Sequence, residues 1–190
     1  MLIYLLRHGK TKGNLLGRYI GTTDESLCEE FEKELQEKSG RYTADLLFVS
    51  PMKRCVQTAQ ILFPEQKQHP VSDFRECDFG AFENKNYQDL SGEPRYQAWI
   101  DSNGTLPFPE GESREAFQQR CVRAFQKVLE EAKKQKAETI ACVVHGGTIM
   151  SILAELAYPQ KDYYSYQVKN GCGYAAALRA DGMLEIVDVC

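Results

Sequence analysis

The chain has 190 residues, 43% of them hydrophobic, with 23 Lys and Arg against 27 Asp and Glu for a net charge of −4. That length suits one domain, the composition excludes a disordered or fibrous chain, and the acidic balance without a basic cluster argues against a nucleic-acid partner. The seven cysteines are odd in number and scattered, without a C-x-x-C pair, so they read as reduced side chains of a cytoplasmic protein, not as a disulfide framework or zinc site. Cys172 and Cys190 read as ordinary thiols. No apolar run approaches the ~20 residues that span a bilayer. The N-terminal run stops at Arg7-His8-Gly9-Lys10, too soon for a secretory signal.

In chain order, Leu2-Ile3-Tyr4-Leu5-Leu6 is a short continuous apolar run, the pattern of a strand buried on both faces. A polar helix is expected over Asp24 to Lys38, then a second buried strand at Asp45 to Val49. Ser50-Pro51 reads as a helix start with Ser as N-cap, followed by Met52, Cys55, Val56, Ala59 and Leu62 at helical spacing. His69 falls in an expected solvated loop. Residues from about 78 to 111, rich in Gly, Pro, Asn and aromatics, read as an insertion that caps something. A long helix from Ser113 to Gln135, a strand at Thr139 to Val144 and a helix from Gly147 to Ala157 follow. Gly173 to Leu178 and Leu184 to Val189 complete the pattern as a hairpin turning at Ala180-Asp181-Gly182. The expected fold is a three-layer α/β/α sandwich, a mostly parallel sheet with helices on both faces, forming a single domain over 1–190.

Three sites point to one chemistry. Arg7-His8-Gly9 directly follows the first strand, and His145-Gly146-Gly147 follows a later strand and opens a helix. Ligands of open α/β sheets bind beyond the carboxyl ends of the strands. Two of the chain's three histidines occupy such positions, each followed by glycine. Ser50-Pro51-Met52-Lys53-Arg54 supplies a third strand end with an arginine in the first helical turn. Arg7 and Arg54 offer charged forks matched to phosphate oxygens, and the amides of Gly146 and Gly147 add donors at a helix N-terminus. Together they describe a site for a tetrahedral anion. Nothing resembles a zinc-ligand cluster, so neither metal nor cofactor is expected.

Leu5-Leu6-Arg7-His8-Gly9-x-Thr11-x-x-Asn14 resembles the signature of the histidine phosphatase superfamily, which includes the cofactor-dependent phosphoglycerate mutases. The likeness continues through Ser50-Pro51-x-x-Arg54-x-x-Gln57-Thr58-Ala59, Phe74-Arg75-Glu76-Cys77-Asp78-Phe79-Gly80, Glu110-Gly111-Glu112-Ser113 and Val144-His145-Gly146-Gly147, in the family's order and over nearly the whole chain. The short length and the run from Phe74 to Glu83 look most like the α-ribazole 5′-phosphate phosphatase group.

The resemblance implies a phosphomonoesterase that forms a phosphohistidine on His8, with a small phosphorylated metabolite as partner, no membrane, and α-ribazole 5′-phosphate as the substrate it points to. It implies that Arg7, Arg54 and His145 bind the phosphoryl oxygens, that Thr11 and Asn14 line the same pocket, and that Glu76 is the acid, with Asp78 and Glu83 next in line. Two alternatives stay open: mutase-type transfer to another hydroxyl, and a non-catalytic phospholigand-binding protein. Lys10 departs from the family's Glu or Gln, and Glu25-Ser26-Leu27 from its Pro-Leu-Thr, which bears on substrate identity. The loop over 17–24 and the insertion would form the pocket walls, with Tyr87, Tyr96, Trp99 and Phe108 available to stack on a leaving group.

Overall fold

The computed structural model describes residues 1–189, and Cys190 lies outside them. Seven strands form one sheet in the order β3-β2-β4-β1-β6-β7-β5. They are β1 (Leu2–Arg7), β2 (Leu46–Val49), β3 (Gln68–Pro70), β4 (Thr139–Val144), β5 (Ala157–Tyr158), β6 (Gly173–Leu178) and β7 (Leu184–Val189). Strands β1, β2, β3 and β4 pair in parallel, as do β5 and β7, while β6 runs antiparallel to both β1 and β7. The sheet is therefore mixed, with most pairings parallel.

The continuous apolar runs are explained by burial on both faces. Ile3, Leu5, Leu46, Phe48, Ile140, Cys142 and Val144 enter one core cluster, and Leu6, Leu47, Val49, Ala141 and Val143 enter another. This is the period-two alternation of a pleated strand with a helix layer on each side. The first cluster is completed by α5 (Arg114–Lys134) and α6 (Gly146–Leu156), and the second by α2 (Glu29–Gln36) and α3 (Lys53–Leu62). The three-layer arrangement expected from the sequence is present.

Three local expectations are corrected. Ser50 does not cap α3: the N-cap is Met52, and the Asp24 carboxylate accepts from the Lys53 amide at 2.7 Å instead. The polar helix begins at Glu29, because residues from Asp24 onward are spent on such loop contacts. His69 lies on the edge strand β3, half-buried with its ring 5.7 Å from that of Phe48. Strands this short carry too few residues for periodicity to reveal them. The insertion holds a one-turn 3-10 helix at Gly80–Phe82 and a helix, α4 (Pro94–Asp101). It packs through a third cluster that includes Cys77, Phe82, Leu90 and Phe108 against Phe117 and Cys121 of α5. Among the described residues, no helix is long and apolar enough to cross a membrane.

Candidate active site

The adjacency β2-β4-β1 brings three carboxyl ends side by side, and the residues that follow them meet. His8, Arg54 and His145 are buried, with exposures of 3%, 0% and 0%. The two imidazoles lie edge to face with ring centres 5.2 Å apart. His8 Nδ1 lies 2.6 Å from the Gly9 carbonyl oxygen. A carbonyl can only accept, so Nδ1 carries the proton and Nε2 keeps its lone pair. Burial, then the charges of Arg54 and Arg7, hold the His8 pKa well below its ordinary 6.5. The result is a neutral imidazole with an available nucleophilic nitrogen.

His145 is fixed from both sides. Arg54 Nε donates to its Nδ1 at 3.3 Å, which leaves the proton on Nε2, 2.8 Å from Ser50 Oγ. This is where the Ser50 hydroxyl goes instead of capping a helix. Burial, then Arg54 and His8, depress the His145 pKa as well. The other Arg54 nitrogens donate to the carbonyls of Ile20, Gly21 and Thr23 at 2.8–3.3 Å. Glu83 holds that loop in turn, accepting from the Gly21 and Thr23 amides and the Thr23 hydroxyl at 2.8–3.0 Å.

The two glycines after His145 make room for two catalytic-type groups. A Cβ on Gly146 would stand 3.3 Å from the Arg7 guanidinium carbon, and one on Gly147 only 2.5 Å from Glu76 Oε1. Arg7 Nη1 donates to the Val168 carbonyl at 2.7 Å, while its buried Nε has no partner. An unpaired buried guanidinium nitrogen costs free energy unless something accepts from it, which an anion would do. Glu76 accepts from the Cys77 amide at 2.9 Å and the Gly147 amide at 3.3 Å. Burial outweighs these bonds and the two arginines and raises its pKa, favouring the protonated acid. The segment carrying it, irregular after a one-turn 3-10 helix at Ser72–Phe74, is gripped by Arg120 of α5, which donates to the Asp73 and Arg75 carbonyls and pairs with Glu112 at 2.7 Å.

Glu83 and Asp78 are committed elsewhere, Glu83 to its loop and Asp78 to the Gly80 amide at 2.9 Å. Thr11 and Asn14 form a capping box on α1 (Lys12–Leu15), and Asn170 bridges Asn14 to the His8 carbonyl. Lys10 is exposed with its Nζ 5.4 Å above the Phe31 ring, and it does not line the cavity in front of Glu76.

That cavity, of about 380 Å³, has Arg7, Glu76, Gly146 and Gly147 at its floor, the end beside His8, Arg54 and His145, which do not themselves line it. Thr11 and Asn14, expected in the pocket, do not line it either. Trp99 and Phe108 line its wall as the insertion was expected to, whereas Tyr96 packs beside Tyr19 and Tyr87 is 67% exposed. Arg18 and Tyr19 line it from the 17–24 loop, as expected, whereas sequence reasoning missed Arg114, Tyr163, Tyr164 and Gln167. None belongs to a motif at a strand end, so no local signal marks them. No group of His, Cys, Asp or Glu among the described residues could hold a metal ion.

The model of the histidine phosphatase superfamily (branch 1) matches residues 3–187. The chain belongs to that superfamily. It is 29% identical over 182 residues to the adenosylcobalamin/alpha-ribazole phosphatase of Escherichia coli K12, covering 90% of this chain and 87% of the relative. A metal-independent phosphoserine phosphatase from Arabidopsis thaliana is 30% identical over 161 residues, 79% of this chain and 66% of that one. The crystal structure of the alpha-ribazole phosphatase from Shigella flexneri superposes with a TM-score of 0.83 at 24% identity, over all of this chain and 96% of that one, and so shares the fold. All three of these proteins are named as phosphatases.

Proposed function

We propose that this superfamily member is a metal-independent phosphomonoesterase acting on a small phosphorylated metabolite through a phosphohistidine. The observation that carries the reading is the His8 tautomer: Nδ1 is bound to the Gly9 carbonyl and Nε2 is free beside an arginine with an unpartnered buried nitrogen. His8 Nε2 attacks phosphorus as the bond to the leaving oxygen breaks, and protonated Glu76 delivers its proton to that oxygen. The Glu76 carboxylate then takes a proton from water, whose oxygen attacks phosphorus. The P–N bond breaks, and inorganic phosphate leaves. Arg7, Arg54 and the Gly146 amide hold the phosphoryl oxygens as charge moves between them. His145 reaches them by turning its one N–H away from Ser50. Thr11 and Asn14 support this pocket by fixing the chain after His8 through their capping box.

Phosphate release from aryl, sugar and nucleoside phosphates, α-ribazole 5′-phosphate and phosphoserine, with chelator present, tests the assignment. His8→Ala is expected to lower kcat/KM at least ~10³-fold and to abolish the phosphoenzyme caught by rapid alkaline quench. Absence of release from every member of the panel would overturn the reading. Transfer to a second hydroxyl of phosphoglycerate, dependent on a bisphosphate primer, would replace it by a mutase.

A further inference from the structure

The cavity in front of Glu76 is charged in a way that phosphoryl transfer does not use. Beyond the floor, its wall carries two more guanidinium groups, Arg18 and Arg114, and Glu76 is its sole acidic lining residue. Arg18 donates from Nη1 to Asn84 Oδ1 at 3.1 Å, but its Nε is buried without a partner. The Trp99 indole nitrogen, on the same wall, is likewise buried and unpartnered. Arg114 sits with its guanidinium carbon 5.6 Å from the centre of the Tyr163 ring, and no ion pair holds it among the described residues. Between these donors the lining is aromatic: Tyr19, Phe79, Trp99, Phe108, Tyr163 and Tyr164. The wall is drawn in tightly, since a Cβ on Gly104, which has φ +69°, would stand 2.8 Å from the Tyr164 hydroxyl and 3.1 Å from the Trp99 ring.

Buried donors left unpaired, in a cavity with excess positive charge, call for an acceptor that is itself negative. The aromatic surfaces between them suit a flat or apolar body. We infer that the leaving group of the preferred substrate carries a carboxylate or other acid on a ring, bound by Arg18 and Arg114 with the Trp99 N–H, while its ester phosphate reaches the His8 floor. This deepens the phosphatase reading and rests on it for which end holds the phosphoryl group. It ranks an acid-bearing aryl phosphate above α-ribazole 5′-phosphate, whose leaving group has no charge. It also disfavours leaving groups that carry only an ammonium.

Calorimetric binding of 3- and 4-carboxybenzylphosphonate, the matching carboxamides and the matching aminomethyl compounds to the intact protein tests the inference without requiring turnover. At least one acid should bind about tenfold or more tightly than its amide, an amide being similar in size and shape but uncharged. Arg114→Gln and Arg18→Gln should each narrow that preference, and Arg114→Lys should retain part of it. Equal binding of acid and amide, tighter binding of the aminomethyl compound, or weak binding of the whole series would overturn the inference. So would a variant that weakens acid and amide equally, because that is the signature of a merely structural role. Hydrolysis of phenyl phosphate is measured separately: its failure would remove the phosphatase reading and leave the binding comparison standing.

Discussion

The floor of the site and the wall above it are built on opposite terms. On the floor most polar atoms are already engaged: His8 Nδ1 with Gly9, His145 with Ser50 and Arg54, and Arg54 with three loop carbonyls. His8 Nε2 and Arg7 Nε are left open, at the place where a phosphoryl group would react. On the wall, Arg18 Nε and Trp99 Nε1 are unpaired and the remaining surface is aromatic. Satisfied networks hold a geometry rigidly, which suits groups that must meet a transition state without rearranging. Unsatisfied donors await a ligand, which suits a surface that chooses among substrates. A single scaffold thus separates chemistry from selection by how completely each region has met its own hydrogen-bonding needs.

Glu76 stands on the boundary, so its replacement should break the two regions apart most sharply. Glu76→Gln is expected to slow alkyl phosphates by ~10²–10³-fold and aryl phosphates far less, because only the poorer leaving group needs the proton. The pH profile carries the same information. Burial raises the Glu76 pKa, so the acid form is lost, and the rate on alkyl phosphates falls, as pH rises through that raised value. Burial and the neighbouring arginines lower the His8 pKa, so the acidic limb appears only when pH drops through a value well below 6.5. The alkaline limb should vanish in Glu76→Gln while the acidic limb stays. Equal slowing of alkyl and aryl substrates would remove Glu76 from the role of acid.

A milder test loosens the floor from outside. Glu83→Ala removes the acceptor for the Gly21 and Thr23 amides and so frees the loop whose carbonyls clamp Arg54. Leaving buried donors unpaired costs about 1–3 kcal/mol. A lower denaturation midpoint is expected, together with roughly three- to tenfold weaker competitive inhibition by inorganic phosphate. Unchanged phosphate affinity would show that the Arg54 clamp does not depend on this loop. The smallest effect belongs to Tyr87→Ser. Its ring is exposed and touches neither region, so stability should move by no more than about 0.5 kcal/mol and kcat/KM should be unaltered. A substantial fall in kcat/KM would extend the wall further into the insertion than the cavity does.

Much of the floor was legible in the chain because its residues sit beside strong local patterns. A fully apolar strand ending in Arg7-His8-Gly9, and another ending in His145-Gly146-Gly147, announce both an element and the place where it stops. The apolar stripe of α5 was readable for the same reason, and the helix expected from Ser113 begins at Arg114 with Ser113 as its N-cap. Ser50 was misread because a Ser-Pro pair satisfies the local rule for a helix start. Its hydroxyl instead answers a histidine 95 positions away, which no window along the chain can display.

By itself, then, the order of residues determined the layers, the strand-end positions of the reactive groups and the expectation of an anion site. These follow from periodicities of 2 and 3.6 and from which side chains can bear charge. Only the folded molecule decided which His8 nitrogen is free, which carboxylate faces the floor and which arginines share the cavity wall. Arg18, Trp99, Arg114 and Tyr163 come from four separate segments. Their common purpose exists only where packing of the insertion against α5 and the sheet brings them within reach of one ligand.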